Sequence, residues 1–385
     1  MIAAIPLLCA LPWVGFPVVV ALRTRRSRSL DEQPADVPAP APLVSVVIPA
    51  RNEARNIERC VRSVLGTTYP NVEVIVVNDH STDGTGDIAQ RIAQGDARLA
   101  VLENPDLPAG WFGKQWACRT GAERARGEIL LFADADTWHA PDLLGRAVNA
   151  MRARGADLMS VAGWQELGTF WERVVQPQVF VMLAARYGGT ESVSRARKAE
   201  DVIANGQCLF VRREAYDALG GHEAVRGKVA EDLALAQLFW RSGRRVALVL
   251  GLDQLGTRMY TSLGELVRGW QKNVFAGGRE SVPLGALGRA VYPFVLIATP
   301  LAPLLPVLAL LLSPLGVVSG AVTLWAAVCV AAGLAFWVGV YRFQRAPLWY
   351  ALLYPLGCAV LLYIATTSVL RGRRVGWKGR EYQAA

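Results

Sequence analysis

The fold of this chain is indicated most clearly by LVSVVIPARNEARNIERCVRSVLGTTYPNVEVIVVND, residues Leu43–Asp79. The stretch opens and closes with β-branched runs that are apolar at consecutive positions, which is typical of strands buried on both faces. Between these runs, Ile57, Val61 and Val64 recur at helical spacing. The pattern predicts a strand, a helix and a second strand parallel to the first.

The alternation of strand and helix continues as far as Asp136. A helical segment, a short strand at Leu99–Asn104 and another helical segment lead into a fourth apolar run, Glu128–Ala133. Strands that alternate with helices in this way form a parallel sheet with helices on both faces. The predicted fold class is therefore α/β, with a Rossmann-like, doubly wound and mostly parallel sheet.

Polar clusters follow three of the predicted strands. They are Ala50–Glu53 after the first strand, Asn78–Gly84 after the second and Asp134–Asp136 after the fourth. The carboxyl ends of neighbouring parallel strands lie at one edge of the sheet, where α/β proteins bind their ligands. The sequence thus predicts one binding site that is assembled from all three clusters.

Asp134 and Asp136 are separated by one residue, and residues i and i+2 of an extended segment share a face. Two carboxylates in this arrangement suit Mg²⁺ or Mn²⁺, which prefer hard oxygen ligands and bridge phosphates. The alternative is a pair of turn or helix-capping aspartates ahead of Pro141 and Asp142, residues typical of a helix start. The spacing alone leaves both interpretations open.

Other acidic positions also admit a structural and a functional interpretation. Asp79 ends a strand at the binding edge, where it can accept hydrogen bonds from a base or ribose, whereas Asp83 or Thr82 is predicted to cap the next helix. Glu231 and Asp232 open a predicted helix, and acids at that position stabilise the helix dipole. The functional interpretation makes Asp232 a general base.

Apolar runs at both ends of the chain predict a membrane protein. Met1–Leu22 is almost wholly apolar, and no acidic residue occurs between Ala290 and Leu370. Three segments there are long enough to cross a hydrocarbon layer of about 30 Å. The first contains several prolines and is a candidate for a re-entrant or interfacial segment. The segments are Tyr292–Leu312, Val317–Val340 and Ala346–Leu370.

The net charge of +9 is carried by residues that flank these apolar runs. Arg23, Arg25, Arg26 and Arg28 follow the first run and further basic residues lie in Arg371–Ala385, whereas the central part of the chain is slightly acidic. Basic residues beside membrane segments favour the cytoplasmic side and attract anionic lipids. We therefore expect an uncleaved anchor, a cytoplasmic α/β domain, a cytoplasmic tail and no nucleic-acid partner.

These features predict a multi-pass protein of the cell (inner) membrane. Its expected segments are a transmembrane anchor (1–22), a basic, proline-rich linker (23–42), the α/β domain (43–262), an amphipathic interfacial segment (263–289), transmembrane or re-entrant helices (290–370) and a basic tail (371–385).

Five motifs follow one another along Leu43–Gly278: VSVVIPARNEARNIERCVRSVL, VIVVNDHSTDGT, LLFADAD, ANGQCLFVRREAYDALGGH and EDLALA. Together they resemble the inverting glycosyltransferases of family 2, which have the nucleotide-binding fold called GT-A. The stretches GWFGKQWA, TRMYTSLGELVRGWQKN and GWKGREY are similar to the membrane-anchored branch that glycosylates carotenoids, hopanoids and related lipids.

The resemblance implies a role for each matching residue. Asp79 would lie near the base of a nucleotide-diphosphate sugar, Asp134 would face the sugar nucleotide, and Asp136 would bind Mg²⁺ or Mn²⁺ through the diphosphate. Asp232 would be the base for a single in-line displacement that inverts the anomeric carbon. The other implied substrate and nucleotide contacts are Pro49, Ala50, Arg51, Glu53, Lys114, Glu231 and Trp270.

One departure from the family pattern bears on the acceptor. Processive relatives carry a Q/R-x-x-R-W motif before the membrane segments, whereas the corresponding stretch here reads RGWQK, Arg268–Lys272. The resemblance then implies one hexosyl transfer to a membrane lipid rather than polysaccharide synthesis. Two alternatives stay open: transfer to polyprenyl phosphate, an acceptor that needs no deprotonation, and a non-catalytic scaffold with a retired transferase fold.

Overall fold

The computed structural model describes residues 4–37, 39–272, 274–275, 278–280, 282–372, 374–377 and 380–383. Parts of the predicted anchor, linker, interfacial segment and basic tail therefore lie outside the described residues. The chain divides into two compact units. We call residues 27–166, 190–259 and 373–385 the sheet unit, and residues 1–26, 167–189 and 260–372 the helical unit.

Eight strands form one sheet in the sheet unit: β1 (Val44–Ala50), β2 (Val72–Asn78), β3 (Leu99–Glu103), β4 (Ile129–Ala133), β5 (Thr137–His139), β6 (Leu158–Gln165), β7 (Cys208–Arg212) and β8 (Val246–Thr257). Their order across the sheet is β3-β2-β1-β4-β7-β6-β8-β5. β1 runs parallel to β2 and β4, and β2 runs parallel to β3, as predicted. β7 is antiparallel to β4 and β6, which the strand pattern did not indicate. A two-stranded antiparallel ribbon lies in the tail and consists of β9 (Arg374–Trp377) and β10 (Arg380–Gln383).

The helices of the described chain alternate with the strands in the sheet unit and follow one another in the helical unit. In chain order they are α1 (Ala4–Thr24), α2 (Ile57–Leu65), α3 (Thr85–Ala93), α4 (Gly113–Arg124), α5 (Leu143–Arg154), α6 (Phe170–Tyr187), α7 (Thr190–Ser194), α8 (Arg213–Ala218), α9 (Glu231–Arg241), α10 (Leu263–Lys272), α11 (Gly278–Glu280), α12 (Gly285–Leu301), α13 (Leu304–Leu312), α14 (Gly320–Phe343) and α15 (Tyr354–Arg371).

Apolar side chains cover both faces of the sheet. On one face, Val46 and Ile48 of β1 belong to a core that includes side chains of α2, α3 and α5, and on the other face Val47 belongs to a core with α4. Burying each such side chain contributes about 1.5–3 kcal/mol. A Cβ at Gly121 of α4 would lie 2.3 Å from a methyl group of Val47, so only glycine allows this helix to approach the sheet so closely.

The helical unit contains the predicted membrane segments. α14 and the stretch Leu348–Arg371 each have 24 residues and are apolar enough to cross a membrane. α12 and α13 together form a third candidate span, which is bent by 45°. Pro303 lies at the bend. Proline interrupts the backbone hydrogen bonds of a helix, which accounts for the break between α12 and α13. Side chains such as Phe294 (74% exposed) and Leu311 (68% exposed) form an apolar outer surface of the kind that contacts lipid.

Residues 167–189 lie within the predicted α/β domain but group with the helical unit. They contain α6, whose buried glutamines hydrogen-bond to the other helices of that unit. Gln176 Oε1 accepts from the Trp270 indole at 3.1 Å, and Gln178 Nε2 donates to the Tyr354 carbonyl at 3.4 Å. Buried amides are costly unless they are hydrogen-bonded, so these contacts tie α6 to α10 and α15.

Candidate functional site

The loops that follow β1 and β2 are hydrogen-bonded to each other. The amide of Glu53 donates to the Thr85 hydroxyl at 2.8 Å, and the amide of Ala54 donates to the Asp83 carboxylate at 3.0 Å. Asp83 also accepts from the Thr85 amide at 3.1 Å in the first turn of α3. Asp83 therefore caps α3, from one residue before the Gly84 N-cap position, and joins two of the predicted polar clusters.

Asp79 is the buried acid at this edge, with 1% of its surface exposed. Its Oδ1 accepts from Asn104 Nδ2 at 3.0 Å, and Arg51 Nη1 lies 3.8 Å from its Oδ2. Arg51 also donates to the Asp79 carbonyl at 2.6 Å, and the Asp79 amide donates to the Ala50 carbonyl at 2.8 Å. The structure thus brings Ala50, Arg51 and Asp79 together beside Pro49. Asn104 is a contact that the sequence did not indicate.

Lys114, Asp134 and Glu231 form an ion-pair cluster. Lys114 Nζ lies 2.7 Å from Asp134 Oδ1 and 2.8 Å from Glu231 Oε1. Lys114 lies in the first turn of α4, Asp134 follows β4 and Glu231 opens α9, so three separate elements each contribute one residue. The side chains are 23%, 28% and 12% exposed, respectively. The cluster is therefore sheltered enough to strengthen its electrostatic interactions and remains open to a ligand.

Asp232 lies next to this cluster on α9. Its Oδ2 accepts from the Gly206 amide at 2.7 Å, and its Oδ1 accepts from the Leu233 amide at 2.8 Å. A Cβ at Gly206 would lie 3.0 Å from Asp232 Oδ2 and 3.2 Å from Lys114 Nζ, so glycine lets the backbone approach both groups. Burial and then the Glu231 carboxylate raise the pKa of Asp232 to about 6, although Lys114 acts in the opposite direction. A carboxylate with this pKa can serve as a base near neutral pH.

Lys114 remains a cation in this environment. Burial favours its neutral form, but the carboxylates of Asp134, Glu231 and Asp232 outweigh burial and raise the pKa of Lys114 well above its ordinary value. One ammonium group thus faces three carboxyl groups. The site carries an excess of negative charge, which a divalent cation would offset.

Asp136 lies two residues beyond Asp134 and is half-buried. In the part of the chain that the structure describes, no group of three or more potential metal ligands is found. Mg²⁺ is commonly bound by one or two protein carboxylates, with substrate phosphates and water supplying the other oxygens. The donor set of Asp134 and Asp136 therefore fits a divalent cation that binds together with a diphosphate. The assignment of the metal to Asp136 stays a prediction.

Trp270, a predicted substrate contact, lies in the helical unit and is 7% exposed. In addition to its hydrogen bond with Gln176, its ring packs against Phe180 and Tyr260 at centroid distances of 6.2 and 6.1 Å. These contacts give Trp270 a structural role in the helical unit. Its contact with substrate stays a prediction.

Gln115 is a residue of the site that the sequence did not single out. It is 1% exposed, its Oε1 accepts from the Gly227 amide at 3.2 Å, and its Nε2 donates to the Lys228 carbonyl. Gln115 thereby fixes the segment that leads into α9. Gln115 directly follows Lys114 in the sequence. The only available signal was this adjacency, because a glutamine near a helix start has no distinctive pattern.

The comparisons with known proteins all point to glycosyltransferases. Residues 45–220 match the protein-family model described as Glycosyl transferase family 2. Two curated relatives are named 4,4'-diaponeurosporenoate glycosyltransferase. The one from Staphylococcus haemolyticus (strain JCSC1435) is 27% identical over 246 residues, and the one from Staphylococcus aureus (strain USA300) is 28% identical over 244 residues. Each match covers 62% of this chain and 63% of the relative, so it spans just under two thirds of the relatives' length.

A solved structure extends the similarity to nearly the whole chain. The mannosyltransferase PcManGT from Pyrobaculum calidifontis, in complex with GDP-Man and Mn²⁺, is similar over 97% of this chain and 100% of that chain. The TM-score is 0.60 and the sequence identity is 23%. This similarity concerns the fold, and it confirms the predicted GT-A architecture.

Proposed function

We propose, on the premise that residues 45–220 belong to glycosyl transferase family 2, that this protein moves one sugar from a nucleotide-diphosphate sugar to a membrane lipid. The acceptor is a hydroxyl or carboxyl group of a carotenoid, hopanoid or similar lipid. The reaction is a single displacement that inverts the anomeric carbon. The observation that supports the proposal most strongly is the cluster in which Lys114 joins Asp134 to Glu231 beside Asp232.

Asp232 is the proposed base. Its pKa of about 6 leaves the carboxylate mostly ionised at neutral pH and still able to accept a proton from an acceptor hydroxyl. The Gly206 amide holds the carboxylate in one orientation, and the charge of Lys114 keeps its pKa from rising further. An acceptor carboxyl group is already ionised at this pH, so transfer to a carboxylate would not require the base.

The donor is proposed to bind along the edge formed by β1, β2 and β4. Asp79 would accept hydrogen bonds from the base or ribose, with Arg51 holding its carboxylate. Asp134 would face the donor sugar, and Asp136 would hold Mg²⁺ or Mn²⁺. When bound, the metal would offset negative charge on the departing diphosphate. Lys114 would add a second positive charge from the protein itself.

The acceptor is proposed to be a lipid because of the helical unit and the relatives. That unit offers two helices, or up to three with the bent pair, that are long and apolar enough to cross a membrane. The curated relatives carry the name of a diaponeurosporenoate glycosyltransferase, which supports an acceptor of the carotenoid type.

We place the sheet unit and the tail on the cytoplasmic side of the cell membrane. Arg23–Arg28 follow α1, and basic residues favour that side. With the bent pair α12–α13 as a re-entrant segment, α14 and α15 cross the membrane and return the tail to the cytoplasm. A cysteine appended to the C-terminus should resist an impermeant thiol reagent in intact cells and react after lysis. Labelling in intact cells would contradict this topology.

Sugar transfer itself is the test of the proposed function. Membranes that contain the protein are incubated with each of several labelled UDP- and GDP-sugars, and label is measured in the organic extract. We expect extractable label with wild type and its loss in Asp136→Ala and after chelation of divalent metal. For a hydroxyl acceptor, we also expect its loss in Asp232→Asn. Asp217→Asn is the control, because Asp217 is 58% exposed and pairs with Arg213.

The variants also separate the acceptor classes. Full activity of Asp232→Asn together with loss in Asp136→Ala would indicate a carboxylate or phosphate acceptor, which needs no base. Absence of extractable label with every donor, in membranes that contain candidate lipids, would refute the proposed function.

A further inference from the structure

The residues after the Asp134–Asp136 pair hold it from two sides. They form β5, in which Thr137 and His139 are 2% and 4% exposed. Alternate residues of a strand point to opposite faces, so Trp138 lies on the other side. Trp138 Nε1 donates to Glu166 Oε1 at 2.7 Å. Both faces of the short strand are therefore fixed by side-chain contacts.

The backbone of Asp134 is where the contacts from the buried face converge. Its carbonyl accepts from the Thr137 hydroxyl at 2.7 Å and from the Thr137 amide at 3.2 Å, and the Cys60 thiol lies 3.6 Å away. The Asp134 amide donates to the Gln207 carbonyl at 3.3 Å. Both backbone polar groups of Asp134 are thus engaged, and its carboxylate is presented to Lys114.

The contacts of the Thr137 hydroxyl favour one tautomer of His139. A threonine hydroxyl has one proton, and here it goes to the Asp134 carbonyl, which can only accept. His139 Nε2 lies 3.1 Å from the same hydroxyl oxygen, and with the hydroxyl proton on the Asp134 carbonyl the imidazole is the donor in that contact. In this arrangement Nε2 carries the proton. Nδ1 is buried and has no hydrogen-bond partner among the residues that the structure describes.

His139 is itself held against α2. Its amide donates to Ser63 Oγ at 3.0 Å, and Ser63 Oγ donates to the Cys60 carbonyl at 2.7 Å. Burial lowers the pKa of His139 to about 4, which keeps the ring neutral at physiological pH. A neutral ring has one donor and one acceptor, as the contact with Thr137 requires.

We propose that His139, acting through Thr137, is a positioning residue that fixes the Asp134–Asp136 turn for the diphosphate and its metal. The inference rests on the proposed function and deepens it. The imidazole N–H occupies one lone pair of the Thr137 hydroxyl and thereby directs the hydroxyl proton to the Asp134 carbonyl. Loss of the Thr137 hydroxyl leaves the His139 N–H unpaired. Loss of the imidazole donor leaves the hydroxyl free to turn away from the Asp134 carbonyl. Either change loosens the turn that carries both carboxylates.

Paired substitutions in the full-length, detergent-purified protein test this role. Thr137→Val keeps the side-chain shape without the hydroxyl, and Thr137→Ser keeps the hydroxyl. His139→Leu removes the Nε2–H donor, and His139→Gln can supply an amide N–H at a similar position. The readout is binding of Mn²⁺ with UDP or GDP, followed by the electron paramagnetic resonance signal of free Mn²⁺, which needs no turnover.

We expect the half-saturating Mn²⁺ concentration to rise about 10-fold or more in Thr137→Val and His139→Leu, and by less than about 3-fold in Thr137→Ser and His139→Gln. Asp136→Ala is the reference variant, in which we expect Mn²⁺ binding to be lost completely. If the wild-type protein fails to bind Mn²⁺ both with UDP and with GDP, the proposed function fails together with the inference. If Asp136→Ala abolishes binding but Thr137→Val and His139→Leu bind like wild type, only the inference is overturned.

A second measurement keeps the inference testable if Thr137→Val or His139→Leu prevents folding. The chain has three histidines, so a ¹⁵N-histidine spectrum of the wild-type protein is simple, and the signal of His139 is the one missing in His139→Gln. We expect a neutral ring protonated at Nε2. A ring protonated at Nδ1, or at both nitrogens, at neutral pH would contradict the proposal.

Discussion

Replacing Asp232 by asparagine should stabilise the sheet unit at neutral pH while it removes the proposed base. Asparagine has a similar shape, and its single carbonyl oxygen can accept the 2.7 Å hydrogen bond from the Gly206 amide, whereas the hydrogen bond from the Leu233 amide to the second oxygen is lost. It lacks the negative charge, which burial and Glu231 make unfavourable at this position. Proton transfer requires that charge, so stability and activity should change in opposite directions.

The size of the gain follows from the pKa. The pKa of Asp232 rises from 3.8 to about 6 in the folded protein. Since one pKa unit corresponds to about 1.4 kcal/mol, ionising this carboxyl group costs about 3 kcal/mol more in the folded protein than in the unfolded chain. Solvent at the half-buried side chain screens part of this cost, and loss of the hydrogen bond from the Leu233 amide takes away about 1 kcal/mol. We therefore expect a net gain of about 1–2 kcal/mol in the free energy of unfolding.

The gain should depend on pH in a defined direction. A folded-state pKa above the unfolded value means that the folded protein binds more protons between pH 3.8 and about 6. The contribution of Asp232 to wild-type stability therefore decreases as pH rises through this window. The asparagine variant lacks that group, so its advantage should be absent near about pH 4 and complete above about pH 7.

Thermal unfolding of the purified full-length protein, followed by tryptophan fluorescence at about pH 5 and about pH 7.5, measures this effect. A change of 1 kcal/mol shifts the apparent Tm by about 2–4 °C in a domain of this size. The gain should be larger at the higher pH. Asp217→Asn, at an exposed position, should leave Tm unchanged at both. An Asp232→Asn protein no more stable than wild type at the higher pH would refute the reasoning.

Three further predictions concern the same cluster. Glu231→Gln removes the like charge that helps to raise the pKa of Asp232. The acid limb of the pH profile of kcat/KM should therefore move to lower pH. An acid limb that does not move would show that the charge of Glu231 does not act on the base. Gly206→Ala puts a Cβ 3.0 Å from Asp232 Oδ2 and 3.2 Å from Lys114 Nζ. We expect kcat to fall about 10-fold or more, and wild-type kinetics would mean that the loop yields without moving the base. Gln115→Leu leaves the half-buried Gly227 amide without its side-chain partner. We expect the free energy of unfolding to fall by about 1 kcal/mol in thermal unfolding, and an unchanged Tm would contradict this role of Gln115.

The strands at the binding edge could be predicted because local sequence determines them. β1, β2 and β4 are apolar runs buried on both faces, and polar residues begin where each strand ends. The direction of β7 could not be predicted in the same way. Its apolar residues resemble those of the parallel strands, and its antiparallel pairing depends on the connection that precedes it.

The ion-pair cluster could be predicted only as separate residues. Lys114, Asp134 and Glu231 are far apart in the sequence, and each residue type is common on protein surfaces. Their contact arises from the packing of α4 and α9 at one end of β4, which no sequence period encodes. The role of His139 was hidden for a similar reason, because an isolated buried histidine has no motif.

The grouping of α6 with the helical unit was also not predictable. α6 lies between β6 and β7, within the matched family region, and its composition mixes polar and apolar residues. Its glutamines become distinctive only in the structure, where Gln176 and Gln178 are buried and hydrogen-bonded to other helices of that unit.

The central claim is that this chain transfers a sugar to a membrane lipid with Asp232 as the base. The most direct measurement is mass spectrometry of lipids from cells that contain wild type or Asp232→Asn at equal membrane levels, in a host that supplies carotenoids or hopanoids. We predict a lipid that gains one sugar residue only in cells with the wild-type protein. The same lipid profile with and without the wild-type protein, or the same glycolipid with Asp232→Asn as with wild type, would contradict the account.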